Sequence, residues 1–422
     1  MINHKLRHLP LAAAALVACA GAHAGYQSPD GNFSLSGFGT LGLSKSTTNE
    51  AYFDYPGQRG GATRTASFNP ASKLAVQGTY KFTPTLSGTA QVMTKFDGEG
   101  QYQPEIEWAF GKWQATPGLT LRAGRMGAPY FMISDFRNVG YANTSVRPAL
   151  EVYGQVSVSQ FDGADIAYQT NLGDATITSS LWSGDSSTQY TSTLTKAPSL
   201  LEIKKTVGIT AQAEFSNGLT VRFGHTEGKL NVKNESGAQL LGYGGTAGYA
   251  LVNPDSAKAT FDGVGLMYDQ DNWIFNAEFT KRKTKSFITN TTGWYALLGY
   301  RVNQWTPYFG VGKVSYKNDE NLVNPYAPAY AGAAGGRYTL TQASLNTQKL
   351  AQTTISTGAR WDVMPNVALK AQWDHIKKPK DSTGFFLIGD PSIAVSPLTS
   401  STSFLKTEHK VDVLTLSVDF IF

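Results

Sequence analysis

Hydrophobic and polar residues alternate in short stretches along most of the chain. In residues 273–280 (WIFNAEFT), one face carries a tryptophan, two phenylalanines and an alanine, and the other carries asparagine, glutamate and threonine. Residues 367–374 (VALKAQWD) alternate in the same way, with lysine, glutamine and aspartate on the polar face. A period of two residues is that of a β-strand, whose successive side chains point to opposite faces. The pattern predicts an all-β chain.

The connections between these segments follow a regular order. Short turns follow the even-numbered segments, and long loops follow the odd-numbered ones. Outer-membrane barrels have an even number of strands, short periplasmic turns and long external loops. The order therefore predicts a transmembrane antiparallel up-and-down β-barrel of about sixteen strands, with polar residues lining a wide interior and lipid outside. The predicted strands are residues 33–44, 73–82, 86–95, 105–115, 119–124, 162–171, 175–183, 203–215, 219–227, 259–268, 273–281, 291–302, 305–316, 353–362, 367–376 and 407–422.

The composition agrees with a membrane barrel. The 422 residues include 43 Gly, 22 Phe and 20 Tyr, and only 16% are charged. No apolar run reaches the roughly 18 residues of a membrane-spanning helix, so none is predicted. The length would also suit two or three soluble domains, but the uniform alternation favours a single barrel over residues 25–422.

Residues 1–24 have the pattern of an export signal. Lys5 and Arg7 precede a short apolar stretch, and Ala22-His23-Ala24 fits the small-x-small cleavage rule, so Gly25 is the expected first residue of the mature chain. Removing Lys5 and Arg7 leaves 34 basic against 31 acidic residues. This excess is too small to predict a nucleic-acid partner.

Cys19 leaves a second interpretation of the amino terminus open. Residues 16–19 (LVAC) resemble a bacterial lipobox, in which Cys19 would be lipidated. If residues 1–24 are removed instead, the mature chain has no cysteine and forms no disulfide.

Residue types used in catalysis or metal binding occur without the spacing that those functions need. Residues 37–42 (GFGTLG) match G-x-G-x-x-G formally, but they lie inside a strand pattern and no helix follows, so the glycines indicate a bend or close packing instead. His225, His375 and His409 have no partner at metal-ligand spacing. No Gly-x-Ser-x-Gly motif is present. We expect no enzymatic activity, no cofactor and no metal.

Residues 125–155 (RMGAPYFMISDFRNVGYANTSVRPALEVYGQ) form a long connection after the fifth predicted strand. The stretch is rich in aromatic and charged residues and has no sustained strand or helix period. Long structureless connections in compact domains are usually functional. We predict that a loop over about residues 126–157 folds into the lumen and narrows a pore; the alternative is an ordinary surface loop.

The chain ends on a strand with alternating apolar residues and a carboxyl-terminal phenylalanine. With a signal, about sixteen strands and eight long loops, it resembles the Gram-negative outer-membrane porins. In that family a terminal aromatic is read by the barrel-assembly machinery, which the resemblance assigns to Phe420 and Phe422. The resemblance also implies an inward-folded third loop, an outer-membrane location and a homotrimer. The Pro-Glu-Phe-Phe-Gly motif of enteric general porins is absent, which leaves the subfamily open.

The resemblance implies a water-filled channel for passive diffusion of ions and small hydrophilic solutes. Channel selectivity depends on pore width and on charges in a confined passage. Basic residues outnumber acidic ones on the predicted lumen face, which favours a mild anion preference. Arg122 and Arg125 are candidates for filter residues or loop anchors, a loop charge can instead form a local salt bridge, and Arg137 and Arg147 can instead bind backbone carbonyls. The candidate constriction and lumen residues are Arg122, Arg125, Tyr130, Asp135, Arg137, Arg147, Glu151, Arg222, Arg282, Arg360 and Lys370, with Glu105, Glu107 and Glu278 opposing them.

Three alternatives to a general diffusion pore remain. A solute-specific channel would use residues 125–155 as a binding site. An outer-membrane barrel enzyme would need a cluster of Asp, His or Ser at the rim. A lipid-anchored export component would require cleavage before Cys19.

Overall fold

Sixteen antiparallel strands form a closed barrel in the computed structural model, which describes residues 25–191, 198–234, 247, 249–317, 323–326, 336–388 and 404–422. Each strand pairs with the next in the chain, and the last pairs with the first, which closes the barrel. This confirms the predicted fold class. The strands are β1 (Phe33–Ser46), β2 (Lys73–Lys81), β3 (Leu86–Phe96), β4 (Tyr102–Gln114), β5 (Leu119–Gly127), β6 (Gln160–Leu172), β7 (Ala175–Thr191), β8 (Pro198–Phe215), β9 (Leu219–Asn234), β10 (Ala257–Gln270), β11 (Trp273–Thr284), β12 (Thr291–Tyr300), β13 (Trp305–Tyr316), β14 (Gln352–Met364), β15 (Val367–Lys378) and β16 (His409–Ile421).

The two ends of the barrel differ as the sequence predicts. The connections after even-numbered strands are tight turns, such as residues 173–174 and 271–272, and we call their side the turn end. Asn366, which has a φ of 66°, lies in the two-residue turn between β14 and β15, where a left-handed residue suits the twist of the hairpin. The connections after odd-numbered strands, L1 to L8, lie at the other end, the loop end. L3 (residues 128–159) follows β5.

The faces of the strands alternate between an apolar outside and a largely polar inside. On β11, Trp273 and Phe279 are about half exposed, whereas Glu278 and Thr280 on the opposite face are buried. On β15, Trp373 is exposed, and its neighbours on both sides are buried and polar. The alternation therefore places the faces as the sequence predicts.

The interior near the loop end is apolar, which the sequence analysis did not predict. Inward residues such as Leu230 on β9 and Val413 on β16 pack against Phe53 of L1 and Phe386 of L8. Two short strands, Ala51–Phe53 and Phe386–Ile388, pair with each other within this cluster. Strand alternation alone could not show that loops fold inward and cover the inner wall near the loop end with apolar side chains.

Several strand ends differ from their predicted positions. The Ser/Thr-rich segment expected to be loop continues β7 to Thr191, since threonine suits a strand, and β9 continues to Asn234. The expected loop after β13 contains helix α2 (Gly336–Thr347), and L3 contains a single helical turn, α1 (Leu150–Tyr153). The proposed signal, residues 1–24, lies outside the described residues. In the part of the chain that the structure describes, no helix has the length and apolar character needed to cross a membrane.

Two aromatic rings close the barrel at the seam between β16 and β1. The ring of Phe422 lies against Gly37, and that of Phe420 lies against Gly39; a Cβ atom at either glycine would overlap the ring. Phe420 is almost fully buried among apolar neighbours. The glycines of the G-x-G-x-x-G stretch therefore serve close packing, as predicted.

An aromatic band surrounds the outer surface at the turn end. Trp305 stacks on Trp361 with ring centroids 5.1 Å apart, and Trp273 contacts Tyr300 edge-on. Trp108 of β4, in contrast, faces inward. A β-bulge between β3 and β4 shifts the register there, so Trp108 lies opposite the buried Gln91.

Candidate functional site

L3 leaves the wall after β5 and contacts the inner face of many other strands before it rejoins the wall at β6. Its first part is held by aromatic contacts. Tyr130 meets Trp182 of β7 and Phe261 of β10 edge-on, with ring centroids 5.6 and 5.7 Å apart. Phe131 lies on Tyr153, the last residue of α1, with a centroid distance of 4.5 Å. These contacts fix the loop inside the barrel.

Glu278 of β11 binds the two arms of L3 together. One carboxylate oxygen accepts a hydrogen bond from the backbone amide of Met132 at 2.9 Å, and the other accepts one from the hydroxyl of Tyr153 at 2.7 Å. Nearby, Arg222 of β9 donates to the carbonyl of Pro129 at 2.6 Å. Both wall residues therefore serve as attachment points for L3.

Glu151 of α1 is a buried carboxyl group at the opposite wall. It accepts hydrogen bonds from the side chains of Gln352, at 2.7 Å, and Thr354. Burial raises its pKa above the ordinary value, because the charged form loses water that these two hydrogen bonds replace only partly. Gln155, one turn further, donates to Thr280 at 2.7 Å. Glu151 lies against the wall beside a small cavity of about 120 Å³.

The middle of L3 is held by charged residues of β14, β15 and β16. Lys370 forms a fully buried ion pair with Asp419 at 3.1 Å and also donates to the carbonyls of Gly140 and Asn143 at 2.7 and 2.6 Å. Arg360 pairs with Asp362 and donates to the same Asn143 carbonyl at 3.2 Å. These cations anchor backbone.

Arg147 of L3 forms an ion pair with Asp374 and lies over the ring of Phe53, 4.5 Å from its centroid. Arg122 of β5 forms a two-pronged pair with Asp165 of β6. The carboxylates of Asp374 and Asp165 therefore offset much of the positive charge that strand alternation predicts for the lumen.

The side of the barrel formed by β2, β3 and β4 is different. Here a cavity of about 530 Å³ opens between the wall and L3 on the loop side. Lys73, Lys95 and Glu105 line it from the wall, and Arg137 lines it from L3. Lys73 has no carboxylate partner in the described ranges, and Arg137 donates only to the carbonyl of Val158, at 3.2 Å.

Of the remaining candidates, Glu107 and Arg125 lie beside this cavity, whereas Arg282 lines another one. Glu107, at the β-bulge, is buried and lies 3.8 Å from Lys95. Arg125 lines the cavity at its edge and pairs with Asp162 at 2.8 Å, at the level where β4 and β5 separate. Asp135 of L3 lies beside Gly127 on the inner wall.

A second cavity, of about 410 Å³, lies on the turn side along the same strands. Gln77 of β2, Gln91 of β3 and Val139 of L3 line it. Between the two cavities, Val139 packs against the inward side chains of Phe38, Ala75 and Met93, of which none is more than 8% exposed. We call these four residues the apolar seam.

Residues of the seam were not among the sequence candidates, and neither were Lys73 and Lys95. Alternation places Lys73 and Lys95 in the lumen, but no sequence signal shows which part of the wall L3 leaves uncovered. In the described ranges, no group of three His, Cys, Asp or Glu side chains could hold a metal ion.

No protein-family model and no curated protein matches the chain. Solved structures match over nearly its whole length. The outer-membrane protein OmpF of Salmonella typhi, solved with daunomycin, has a TM-score of 0.54 at 15% identity, covering 94% of this chain and 100% of that chain. The anion-selective porin of Comamonas acidovorans has a TM-score of 0.53 at 11% identity, covering 92% and 99%.

A third similar structure is the outer-membrane channel DcaP of Acinetobacter baumannii, with a TM-score of 0.51 at 9% identity, covering 95% of this chain and 100% of that chain. At these identities the likeness shows the fold alone. The chain has the sixteen-strand fold of the outer-membrane porins, so the predicted resemblance is confirmed at the level of fold.

Proposed function

We propose that the protein is an outer-membrane channel through which ions and small hydrophilic solutes diffuse passively. The observation that carries this proposal is the pair of cavities along β2, β3 and β4, one open toward each end of the barrel. The aromatic band and the exposed apolar outer face suit a barrel surrounded by lipid. The reading requires no catalytic group, cofactor or metal.

We place the narrowest point of the channel at the apolar seam. On β2, Lys73 lines the 530 Å³ cavity on the loop side, which we call the upper cavity, and Gln77 lines the 410 Å³ cavity on the turn side. Ala75 of the seam lies between Lys73 and Gln77. The same order holds on β3 for Lys95, Met93 and Gln91. Apolar constrictions control ion flow because water leaves them readily.

A mild anion preference remains our proposal, on different residues from those first expected. Arg122, Arg360 and Lys370 face inward, but each is paired with an aspartate. Around the upper cavity, Lys73 and Arg137 lack such a partner among the described residues, and Glu105 opposes them. Asp97 and Glu99 also line this cavity without an ion pair in the described ranges, but they lie farther along the chain from the seam. Lys73 and Arg137 each stand two residues from a seam residue, so the proposal rests on positive charge next to the narrowest point.

Conductance in planar lipid bilayers tests the proposal. The purified protein is expected to give discrete conductance steps, and a salt gradient should give a reversal potential of the sign for anion preference. The variant Lys73→Gln should move that potential toward zero, whereas Arg301→Gln, at an exposed pair on the turn end, should leave it unchanged. The absence of conductance from correctly folded protein would refute the channel. Equal shifts in the two variants would refute the role of Lys73.

The other expectations from the resemblance stay proposals. They are removal of residues 1–24 as a signal, recognition of Phe420 and Phe422 by the barrel-assembly machinery, and a homotrimer in the lipid of the outer membrane. Intact mass of the mature chain distinguishes Gly25 from a lipidated Cys19 as its first residue. Native mass in detergent gives the oligomeric state.

A further inference from the structure

A third cavity, of about 230 Å³, lies between L3 and the apolar loops at the loop end, against the inner face of β7 to β11. Its lining is mostly aromatic and aliphatic and includes Tyr130, Phe261, Phe287, Phe385 and Leu230. Pockets of this kind, apolar with a few polar groups, are the usual form of small-molecule sites. The polar groups in this cavity therefore indicate what it could hold.

Arg282 of β11 supplies the positive charge in this cavity. Its guanidinium donates to two backbone carbonyls, those of Gln155 and of Thr289 at 3.0 Å. A guanidinium has five N–H donors, and the Nε–H of Arg282 has no acceptor among the residues that the structure describes. In contrast to Arg122, Arg360 and Lys370, Arg282 forms no ion pair within the described ranges.

A cation in apolar surroundings without a counter-charge is costly, and an anion that supplies the counter-charge is correspondingly favoured. Asp54 of L1 also lines the cavity and is buried, but it does not pair with Arg282. The combination of one guanidinium with aromatic walls suits a ligand that has an acidic group on a small apolar or aromatic body. The guanidinium would bind the acidic group, and the rings would contact the body.

The position of the cavity connects it with the passage. Pro56, Gly57 and Ser157 line both this cavity and the 530 Å³ cavity on the loop-end side of the seam. A solute released from one would reach the other by passing these three residues.

We propose that this cavity is a binding site for small aromatic or aliphatic carboxylates, held by Arg282. A role of the site in solute uptake rests on the proposed channel function, but binding itself does not. The protein would then be a channel that concentrates such anions next to its passage.

Binding of benzoate to the detergent-solubilised protein, measured by calorimetry, tests the site. Benzyl alcohol serves as the neutral probe of similar shape. We expect benzoate to bind saturably and benzyl alcohol to bind at least about tenfold more weakly, since hydrogen bonds to charged groups are the strong ones. Equal binding of the two probes, or no saturable binding of benzoate, would overturn the proposal.

Three variants separate the charge of Arg282 from a general effect on L3. Arg282→Met should weaken benzoate binding about tenfold or more, and Arg282→Lys should keep part of it. Arg360→Met is the matched control, because Arg360 also faces inward and holds L3 carbonyls but lies outside this cavity. Equal losses in Arg282→Met and Arg360→Met would overturn the proposal.

If Arg282→Met does not fold, Ala259→Phe provides an independent test. Ala259 lines the cavity, and a phenylalanine there would fill it without changing any charge. Benzoate binding should be lost; retained binding would place the ligand elsewhere and overturn the proposal. Conductance of the same wild-type sample separates the two claims: channels without benzoate binding reject this site alone, and benzoate binding without channels rejects the channel alone.

Discussion

The interior of the barrel has two sides that treat charge differently. On the side of β9 to β16, which we call the held side, buried charged residues bind L3, and some of them are also paired. Lys370, for example, forms an ion pair with Asp419 and donates to the carbonyl of Gly140. On the side of β2 to β4, which we call the open side, Lys73 and Glu105 face an open cavity. The same residue types therefore hold a loop in place on one side and line open space on the other.

The difference shows why an inward charge is not by itself a filter residue. A paired and desolvated cation contributes little field at a distance, because its partner cancels it. An unpaired cation in a confined passage acts on every ion that passes. Selectivity should therefore follow the few unpaired charges of the open side, while loop position and stability should follow the paired charges of the held side.

The largest expected effect comes from breaking the buried pair on the held side. Lys370→Met leaves Asp419 without its partner and removes the contacts to the carbonyls of Gly140 and Asn143. Breaking a buried ion pair on one side costs roughly 3–5 kcal/mol. We expect lower stability to urea and a larger, less uniform conductance, because L3 loses an anchor.

The double variant Lys370→Met/Asp419→Leu is the control for this prediction. It removes both charges and should regain part of the stability, since no unpaired charge remains buried. If Lys370→Met unfolds at the same urea concentration as wild type, the pair does not hold the loop.

A second prediction concerns the apolar seam on the open side. Val139→Ser places a hydroxyl on the face of the seam that L3 contributes, opposite Phe38 and Met93. Water should therefore enter the seam more readily. We expect single-channel conductance to rise severalfold with little change in stability. Val302→Ser, at an exposed site on the turn end, is the matched control. Unchanged conductance in Val139→Ser would place the narrowest point elsewhere.

The sequence was sufficient for the barrel but not for the interior. Alternation and the order of turns predicted sixteen strands and the inward direction of Lys370 and Glu278, because both follow from the period of two in a strand. The long connection after β5 was also recognisable, from its length and irregular pattern.

The interior depends on contacts between residues far apart in the chain. Asp165 and Asp419 neutralise Arg122 and Lys370, yet each pair joins different strands, so no local pattern reveals it. The bulge that turns Trp108 inward arises from pairing with β3. Counting inward charges therefore overestimated the free positive charge, and the wall that L3 leaves open could not be identified.

A third prediction sharpens the contrast between paired and unpaired cations. Arg122→Ala exposes the charge of Asp165 near the start of L3, so it should move the reversal potential toward cation preference. Arg122→Ala/Asp165→Ala removes both charges and should leave selectivity close to wild type. Lys73→Gln, in contrast, should shift selectivity without any second change. If the double variant shifts the potential as far as Arg122→Ala alone, Arg122 acts on ions directly and the pair does not neutralise it.

The smallest expected effect is a pH dependence of the held side through Glu151, which lies in L3 outside the strands. Its pKa is raised in the folded protein by burial, and Gln352, Thr354 and the nearby Asp374 face it. The native state then binds a proton more tightly than the unfolded chain, so the stability linked to this group is fully present below the ordinary carboxyl pKa of about 4.3 and is lost as the pH rises through the folded-state pKa.

Glu151→Gln isolates this contribution, because glutamine keeps the shape and never ionises. Other carboxyl groups titrate in both proteins, so the informative quantity is the difference in unfolding free energy between variant and wild type at each pH. We expect Glu151→Gln to gain stability relative to wild type as the pH rises from about 4 toward neutrality, because a carboxyl group with a raised pKa ionises in that range. A difference that stays constant with pH would mean that Glu151 ionises at the same pH in the folded and unfolded chain, and that its anchoring of L3 does not depend on its charge.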